Sequence, residues 1–277
     1  MARLIIFTDL DGTLIREEDY SFTDALPALE EIGRQKIPLV ISSSKTRSEI
    51  EVYRERLNNR DPFIAENGGG IFIPEGYFTQ EILGEYNPVK IEGYQAIMLG
   101  VSYKELRAVI EELRAKAYRI KGFGDLSVDE IAEITGLNSY EARLAKKREF
   151  DEVFILEEDD MQRKEEIFRF IKEKGYEYTK GRFYHIMGRT DKGKAVRLLI
   201  DLYKQTFGDI ITVAIGDSMN DLPMLLEVQY PFIVRKSDGS YDKVFEEYPY
   251  IRRADGIGPE GWNRAVLDLI RSKISTS

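Results

Sequence analysis

Leu4-Ile5-Ile6-Phe7-Thr8-Asp9-Leu10-Asp11-Gly12-Thr13 is the stretch on which the reading of this 277-residue chain turns. Residues 4–8 form a short apolar, β-rich run, the pattern of a strand buried on both faces within a parallel sheet. The run ends in two acids and a glycine. An ionised carboxylate at the end of a buried strand is costly unless it is paired or metal-bound, so Asp9 and Asp11 need a cation or a chemical task. Outward from this strand, residues 24–35 show helical spacing through Leu26, Leu29 and Ile32, and residues 37–42 are a second apolar run that ends in Ser42-Ser43-Ser44-Lys45-Thr46. A helix over 46–57 and a short strand at 63–65 continue the alternation. Repeated strand, helix and strand predicts an α/β fold: a doubly wound, Rossmann-like parallel sheet with ligands at the carboxyl ends of its strands.

From about Asn87 the texture changes. A strand in 94–101, a helix over 103–117, a helical stretch over 127–147 broken near 135–139, a strand at 151–156, a helix over 162–175 and a strand pair within 177–187 describe an inserted α+β domain. The first texture then returns, with a helix over 192–207, a strand at 210–215, a strand around 231–234 and a final helix over 260–272. The expected division is a core of residues 1–86 and 188–277 with an inserted cap at 87–187.

Two carboxylates two residues apart suit a division of labour: one attacks phosphorus, and the other gives a proton to the leaving oxygen and later takes one from water. The alternative for Asp9 and Asp11 is a turn that merely closes the strand. Gly216-Asp217-Ser218-Met219-Asn220-Asp221 follows another apolar strand, and there the alternative is helix capping by Asp217 or Ser218. Two acid clusters at the ends of two parallel strands, far apart in sequence, are what a divalent-metal site requires. Ser43, after the second strand, and Lys192, at the start of a helix, can hold a phosphoryl group. Lys45, Arg47, Arg148, Arg182 and His185 are candidate contacts for a substrate bearing several anions, with Ser44, Asn67 and Asn220 beside them. Trp262 reads equally as core or as a sugar platform, and residues 157–161 as a solvated loop.

Composition limits the function classes. With 40 Lys+Arg against 49 Asp+Glu the net charge is −9, which argues against a general nucleic-acid binder and leaves small anionic ligands open. No cysteine is present, which removes disulfides, thiolate zinc sites and cysteine nucleophiles. The sequence has no stretch of about 18 uninterrupted apolar residues, so no membrane span is expected and the chain reads as cytoplasmic.

Asp-Leu-Asp-Gly-Thr at 9–13, the serine after the second strand, Asp-Lys-Gly-Lys at 191–194 and Gly-Asp-Ser-Met-Asn-Asp at 216–221 together resemble the haloacid dehalogenase superfamily of phosphatases, and the insertion lies where that superfamily carries its larger cap. The resemblance implies that Asp9 is the nucleophile and Asp11 the general acid/base, and that Ser43 and Lys192 bind the phosphoryl group. It also implies Mg²⁺ held by the Asp9 side chain, the Asp11 main-chain carbonyl and the Asp217 side chain, with Asp221 in support. Finer features, Ser-Ser-Lys-Thr-Arg at 43–47, residues 66–74, residues 141–154, residues 181–196 and the late Gly-Pro-Glu-Gly-Trp-Asn, resemble the mannosyl-3-phosphoglycerate phosphatase family. The implied substrate is a small anionic sugar phosphate. Alternatives are a phosphatase for the glucosyl compound or a hexose phosphate, a phosphomutase on the same core, and a non-catalytic sugar-phosphate sensor.

Overall fold

The computed structural model describes residues 2–158 and 160–274. Its larger sheet has nine strands, β1 (Arg3–Thr8), β2 (Leu39–Ser42), β3 (Phe63–Ala65), β4 (Gly70–Pro74), β5 (Val89–Ile91), β6 (Tyr94–Met98), β11 (Ile210–Gly216), β12 (Tyr230–Arg235) and β13 (Arg252–Ile257), in the order β13-β12-β11-β1-β2-β3-β4-β6-β5. Pairing is parallel from β13 to β3 and antiparallel from β4 to the β5 edge. Helices α1 (Leu26–Gln35), α2 (Arg47–Arg56) and α10 (Pro259–Ile274) cover one face. The other is covered by α3 (Gln80–Leu83), α8 (Lys192–Phe207) and α9 (Leu222–Leu225). Strand β1 shows why the sheet is doubly wound: Leu4 and Ile6 pack with Ala28, Ile50 and Trp262, while Ile5 and Phe7 pack with Val196, Leu199 and Met224. Side chains alternate along a strand, so a run apolar at every position must be covered twice.

The second sheet is antiparallel, with β7 (Ile120–Gly122), β8 (Asp151–Leu156), β9 (Glu177–Lys180) and β10 (Tyr184–Met187) in the order β7-β8-β10-β9. Helices α4 (Tyr103–Ala115) and α7 (Met161–Glu173) bury Leu106, Ile110, Ile167 and Ile171 against Phe154 and Ile186 on one face. Helices α5 (Val128–Thr135) and α6 (Ser139–Ala145) pack near Val153 on the other. The break between α5 and α6 has a local cause. Gly136 ends α5 in the left-handed region at φ 77°, and Asn138 starts α6 with a capping box to Glu141.

One expectation is corrected. The strand in 94–101 was assigned to the insertion, but β6, with β5, pairs into the larger sheet, where Gln95, Ala96 and Ile97 are buried. The cap expected from residue 87 therefore contributes its first two strands to the core, and the elements of the second sheet follow Met98. A strand's hydrophobic pattern says that it is buried on a sheet but not on which sheet, because the partner is chosen by the hairpin that precedes it. Residues 66–69 make that hairpin, turning β3 into β4. Of the expected loop at 157–161, Asp159 lies outside the described residues, while Asp160 caps α7 and Met161 begins it. No helix among the described residues is long and apolar enough to cross a membrane.

Candidate active site

Strand β1 delivers Asp9 to the carboxyl edge of the sheet, beside the end of β11, where the Asp9 N–H bonds the Ile215 carbonyl at 3.0 Å. Behind it, Trp262 Nε1 donates to Thr8 Oγ1 at 2.9 Å, and Thr8 Oγ1 donates to the Asp9 carbonyl at 2.8 Å. Trp262 is thus a fully buried core residue that braces the end of β1 and not a sugar platform. The chain then turns at Gly12, whose φ of 73° suits glycine, and a Cβ there would stand 3.1 Å from Asp217 Oδ2. Through this close approach, Thr13 Oγ1 reaches Asp217 Oδ1 at 3.2 Å.

Lys192, the first residue of α8, is fully buried and donates to Asp9 Oδ1 at 2.7 Å and Asp221 Oδ1 at 2.6 Å. Asp191 caps the helix by accepting the Lys194 N–H at 2.8 Å, which fixes where Lys192 emerges. Asp221 gives its other oxygen to the N–H groups of Asp217 and Ser218 at 3.0 and 3.2 Å. Burial pushes the Asp9 carboxyl up to about 7 against the pull of Lys192, and Asp221 and Asp11 add to the rise. Burial, Asp221 and Asp9 likewise push Asp217 well above the carboxylate range. Burial alone would lower the Lys192 ammonium, but Asp221 and Asp9 outweigh it and hold the group charged.

Asp9, Asp217 and Asp221 each place a carboxylate oxygen within 4.8 Å of the others. When all three carboxylates are ionised they share one ammonium, and two negative charges would stand uncompensated in a buried place. A divalent cation with oxygen ligands fits that donor set and that charge. Since Asp221 already spends both oxygens on protein donors, Asp9 and Asp217 are the side chains free to ligate.

The side chain of Asp11 turns away from this cluster to Lys45, whose Nζ lies 3.0 Å from Asp11 Oδ1. Burial would lower the Lys45 ammonium, but Asp11 and Glu49 hold it above the ordinary lysine range. Ser43 is fully buried, with Oγ accepting the Lys45 N–H at 3.2 Å and its own proton committed to no described hydrogen bond. Ser44 and Lys45 line a cavity of about 620 Å³ that also contacts Asp9, Asp11 and Asp217. Arg47 does not. As the first residue of α2 it bonds Glu149 at 3.1 Å and Glu92 at 2.7 Å and stacks over Phe72, so the expectation of a substrate contact is corrected to a structural ion-pair network.

The second sheet roofs the same cavity with Arg148, Arg182 and His185. Arg148 Nη1 reaches across to the Ser44 carbonyl at 2.8 Å and to Asp151 Oδ1 at 2.6 Å. His185 Nδ1 lies 2.8 Å from Asp151 Oδ2. Arg182 is oriented by the Thr135 and Ile134 carbonyls at 2.7 and 3.3 Å. From the core side, Asn67 Nδ2 donates to Asp151 Oδ2 at 3.3 Å and Asn67 Oδ1 accepts from Asn220 Nδ2 at 3.2 Å, which links the hairpin turn to the loop after β11.

Three residues of this neighbourhood escaped the sequence reading. Asp151 is the hub just described. Glu66, fully buried, accepts the N–H groups of Glu149, Phe150 and Asp151 at 2.7 to 3.1 Å and so ties the core hairpin to the start of β8. Both its oxygens face donors, the arrangement of a carboxylate, although burial and then Asp151 push its pKa up to about 8. Lys236, paired with Asp242 at 2.6 Å, adds a further cation to the cavity wall. The position of the two acids beside apolar runs, Glu66 just after β3 and Asp151 at the start of β8, was a readable signal, because neither buried position tolerates a charge without partners.

Fold and site together define a capped α/β hydrolase with a buried acid cluster. A family model described as haloacid dehalogenase-like hydrolase matches residues 6–244, and the chain belongs to that family. It is 48% identical over 270 residues to a glucosyl-3-phosphoglycerate/mannosyl-3-phosphoglycerate phosphatase of Methanococcoides burtonii, covering 96% of this chain and 97% of the relative. It is 41% identical over 231 residues to a mannosyl-3-phosphoglycerate phosphatase of Pyrococcus furiosus, covering 83% and 90%. Among solved structures, a Thermoplasma acidophilum protein aligns with a TM-score of 0.67 at 18% identity, covering 98% of this chain and 99% of that one. The sucrose-phosphatase of Synechocystis sp. PCC6803, solved with sucrose and phosphate, aligns at 0.63 and 16%, covering 98% of each chain. At these identities the structural likeness speaks for the fold alone.

Proposed function

We propose that this chain is a divalent-metal-dependent phosphatase that releases phosphate from a glycosyl-3-phosphoglycerate, the mannosyl compound first and the glucosyl compound as its near equivalent. The observation that carries the reading is the grip of Lys192 and its partner Asp221 behind Asp9, which itself lines a cavity whose roof is cationic. The substrate class comes from the relatives, whose names specify these two glycosyl compounds.

In this reading Lys192 holds Asp9 Oδ1 and leaves Oδ2 to attack phosphorus. A phosphorus–oxygen bond forms to Asp9 while the bond to the glycerate oxygen breaks, and Asp11 gives that oxygen a proton. Water then attacks the aspartyl-phosphate, Asp11 takes its proton, and the Asp9–phosphorus bond breaks to restore the carboxylate. Lys45 sits against Asp11, with Nζ 3.0 Å from Oδ1, and orients that carboxyl group. Ser43, with its hydroxyl proton uncommitted, and Lys192 donate to the phosphoryl oxygens. Mg²⁺, where bound, would be held by Asp9 and Asp217, with the Asp11 carbonyl that the family resemblance implies and Asp221 in support, and would neutralise charge on the phosphoryl group. Arg148, Arg182 and Lys236 face the glycerate carboxylate and the sugar from the cavity wall. The second sheet acts as a cap that keeps bulk water from the aspartyl-phosphate.

The test is phosphate release, with Mg²⁺ present, from mannosyl- and glucosyl-3-phosphoglycerate, free 3-phosphoglycerate, mannose phosphates and sucrose phosphate. A kcat/KM advantage of about a hundredfold for the glycosyl-phosphoglycerates is expected, since several charged and hydroxyl contacts act together. A flat profile, or a simple hexose phosphate winning, would overturn the substrate, and transfer to a sugar hydroxyl in place of water would make the enzyme a mutase.

A further inference from the structure

Behind Arg148 and His185 in the roof of the cavity lies a carboxylate that the proposed chemistry leaves unused. Asp151 opens β8 with no exposed surface, and an ionised acid is tolerated there only because its neighbours are donors. Arg148 Nη1 lies 2.6 Å from Oδ1, while His185 Nδ1 and Asn67 Nδ2 lie 2.8 and 3.3 Å from Oδ2. Burial opposes ionisation, yet Arg148 and His185 outweigh it and hold the Asp151 carboxyl below the ordinary aspartate range. The sheet register explains why acid and imidazole meet. Asp151 stands opposite Met187 and Val153 opposite His185 on antiparallel strands, so Asp151 and His185 are diagonal neighbours on the face turned to the core.

An ionised carboxylate only accepts hydrogen bonds, so the proton between Asp151 and His185 sits on Nδ1. A neutral ring protonated on Nδ1 carries its lone pair on Nε2. His185 lines the cavity, and its Nε2 makes no hydrogen bond to a described residue. The same wall already has Arg148, Lys180 and Arg182 as cations, whereas a sugar needs acceptors as well as donors.

The geometry points to Asp151 as a positioning residue that fixes His185 as its Nδ1–H tautomer, so that Nε2 accepts a hydrogen bond from a hydroxyl group of the substrate's sugar. This revises the expectation that His185 supplies positive charge to the substrate's anions. The inference rests on the proposed substrate class only in naming the hydroxyl as a sugar's.

His185 is the only histidine in the chain, so the whole enzyme labelled with ring-¹⁵N histidine gives a single imidazole spin system. At about pH 7.5, above the ordinary histidine value, the ligand-free wild type is expected to show a protonated Nδ1 and an unprotonated Nε2. Mannosylglycerate, the dephosphorylated product, is expected to shift the Nε2 resonance and leave Nδ1 in place. Asp151→Asn is expected to admit the Nε2–H tautomer and to raise KM for mannosyl-3-phosphoglycerate about tenfold with kcat within about threefold, the signature of one lost binding contact. An imidazolium or an Nε2–H tautomer in the wild type, an Nε2 that ignores the product, or an unchanged KM in Asp151→Asn would each overturn the proposal. Should Asp151→Asn fail to fold, the wild-type tautomer and the KM of His185→Phe decide it: the tautomer must be Nδ1–H and the KM must rise. The tautomer is read without ligand, so a wild type that prefers p-nitrophenyl phosphate to the glycosyl compound would defeat the substrate reading and leave the role of Asp151 to stand or fall separately.

Discussion

Lys192 Nζ stands 2.7 Å from Asp9 Oδ1 and 2.6 Å from Asp221 Oδ1, so one ammonium organises acids that come from β1 and from the turn after β11. Lys192→Met removes the only positive charge bonded to these acids among the described residues while keeping the side chain's length. Breaking a buried pair in this way is expected to destabilise the metal-free protein by about 3–5 kcal/mol. Thermal and urea unfolding in chelator measure it, and kcat with Mg²⁺ is expected to fall by about three orders of magnitude as phosphoryl stabilisation is lost.

Metal removal likewise takes positive charge from the same cluster. Asp9, Asp217 and Asp221 repel one another, so EDTA is expected to abolish turnover and to lower the melting temperature. Mg²⁺ at about a hundred times its Kd should restore activity and add about 2.7 kcal/mol of stability. Asp217→Asn should weaken that Mg²⁺-dependent shift more than it lowers stability in chelator.

Arg47 provides a test of a residue that reads as a substrate contact in sequence and is not one in space. Its guanidinium is spent on Glu149, Glu92 and Glu51 beside Phe72, away from the cavity. Arg47→Ala is expected to lower stability by about 1–3 kcal/mol through lost packing and lost pairing. KM for the preferred substrate should stay within about twofold of wild type, since no binding contact is removed.

Asp151 makes a pH prediction of definite sign. Its folded pKa lies below the ordinary aspartate value of 3.8, so its contribution to stability is fully present above that value and is lost as pH falls through the folded one. Wild type is therefore expected to be more stable than Asp151→Asn near neutrality, with the gap closing below about pH 4. Urea unfolding of both proteins from about pH 7 down to about pH 3 reads the convergence.

The core was legible because its signals are local. An apolar run ending in Asp9 and Asp11, or in Gly216 and Asp217, announces both the strand and the place where a charge must be compensated. What escaped depends on partners far away in sequence. Arg47 meets Glu149 across 102 residues, and Asp151 meets Asn67 across 84, so neither the structural role of the first nor the central place of the second could be read from neighbours. Strand β13 went unread because its outward positions, Arg252, Arg253, Asp255 and Ile257, are exposed at the sheet edge and break the apolar pattern that marked the buried strands. Strands β5 and β6 were seen in part and misassigned, since a pattern that identifies a strand does not name the sheet it joins.

The most direct test of the account is the kcat of Asp9→Asn on mannosyl-3-phosphoglycerate with saturating Mg²⁺, with circular dichroism confirming the fold. An amide at residue 9 keeps a hydrogen-bonding group of the same shape but cannot form the aspartyl-phosphate. A loss of about four orders of magnitude or more is expected from removal of the nucleophile. Activity within about tenfold of wild type would contradict it, because a loss that small is within reach of one displaced hydrogen bond and would mean that phosphorus is attacked by some other group.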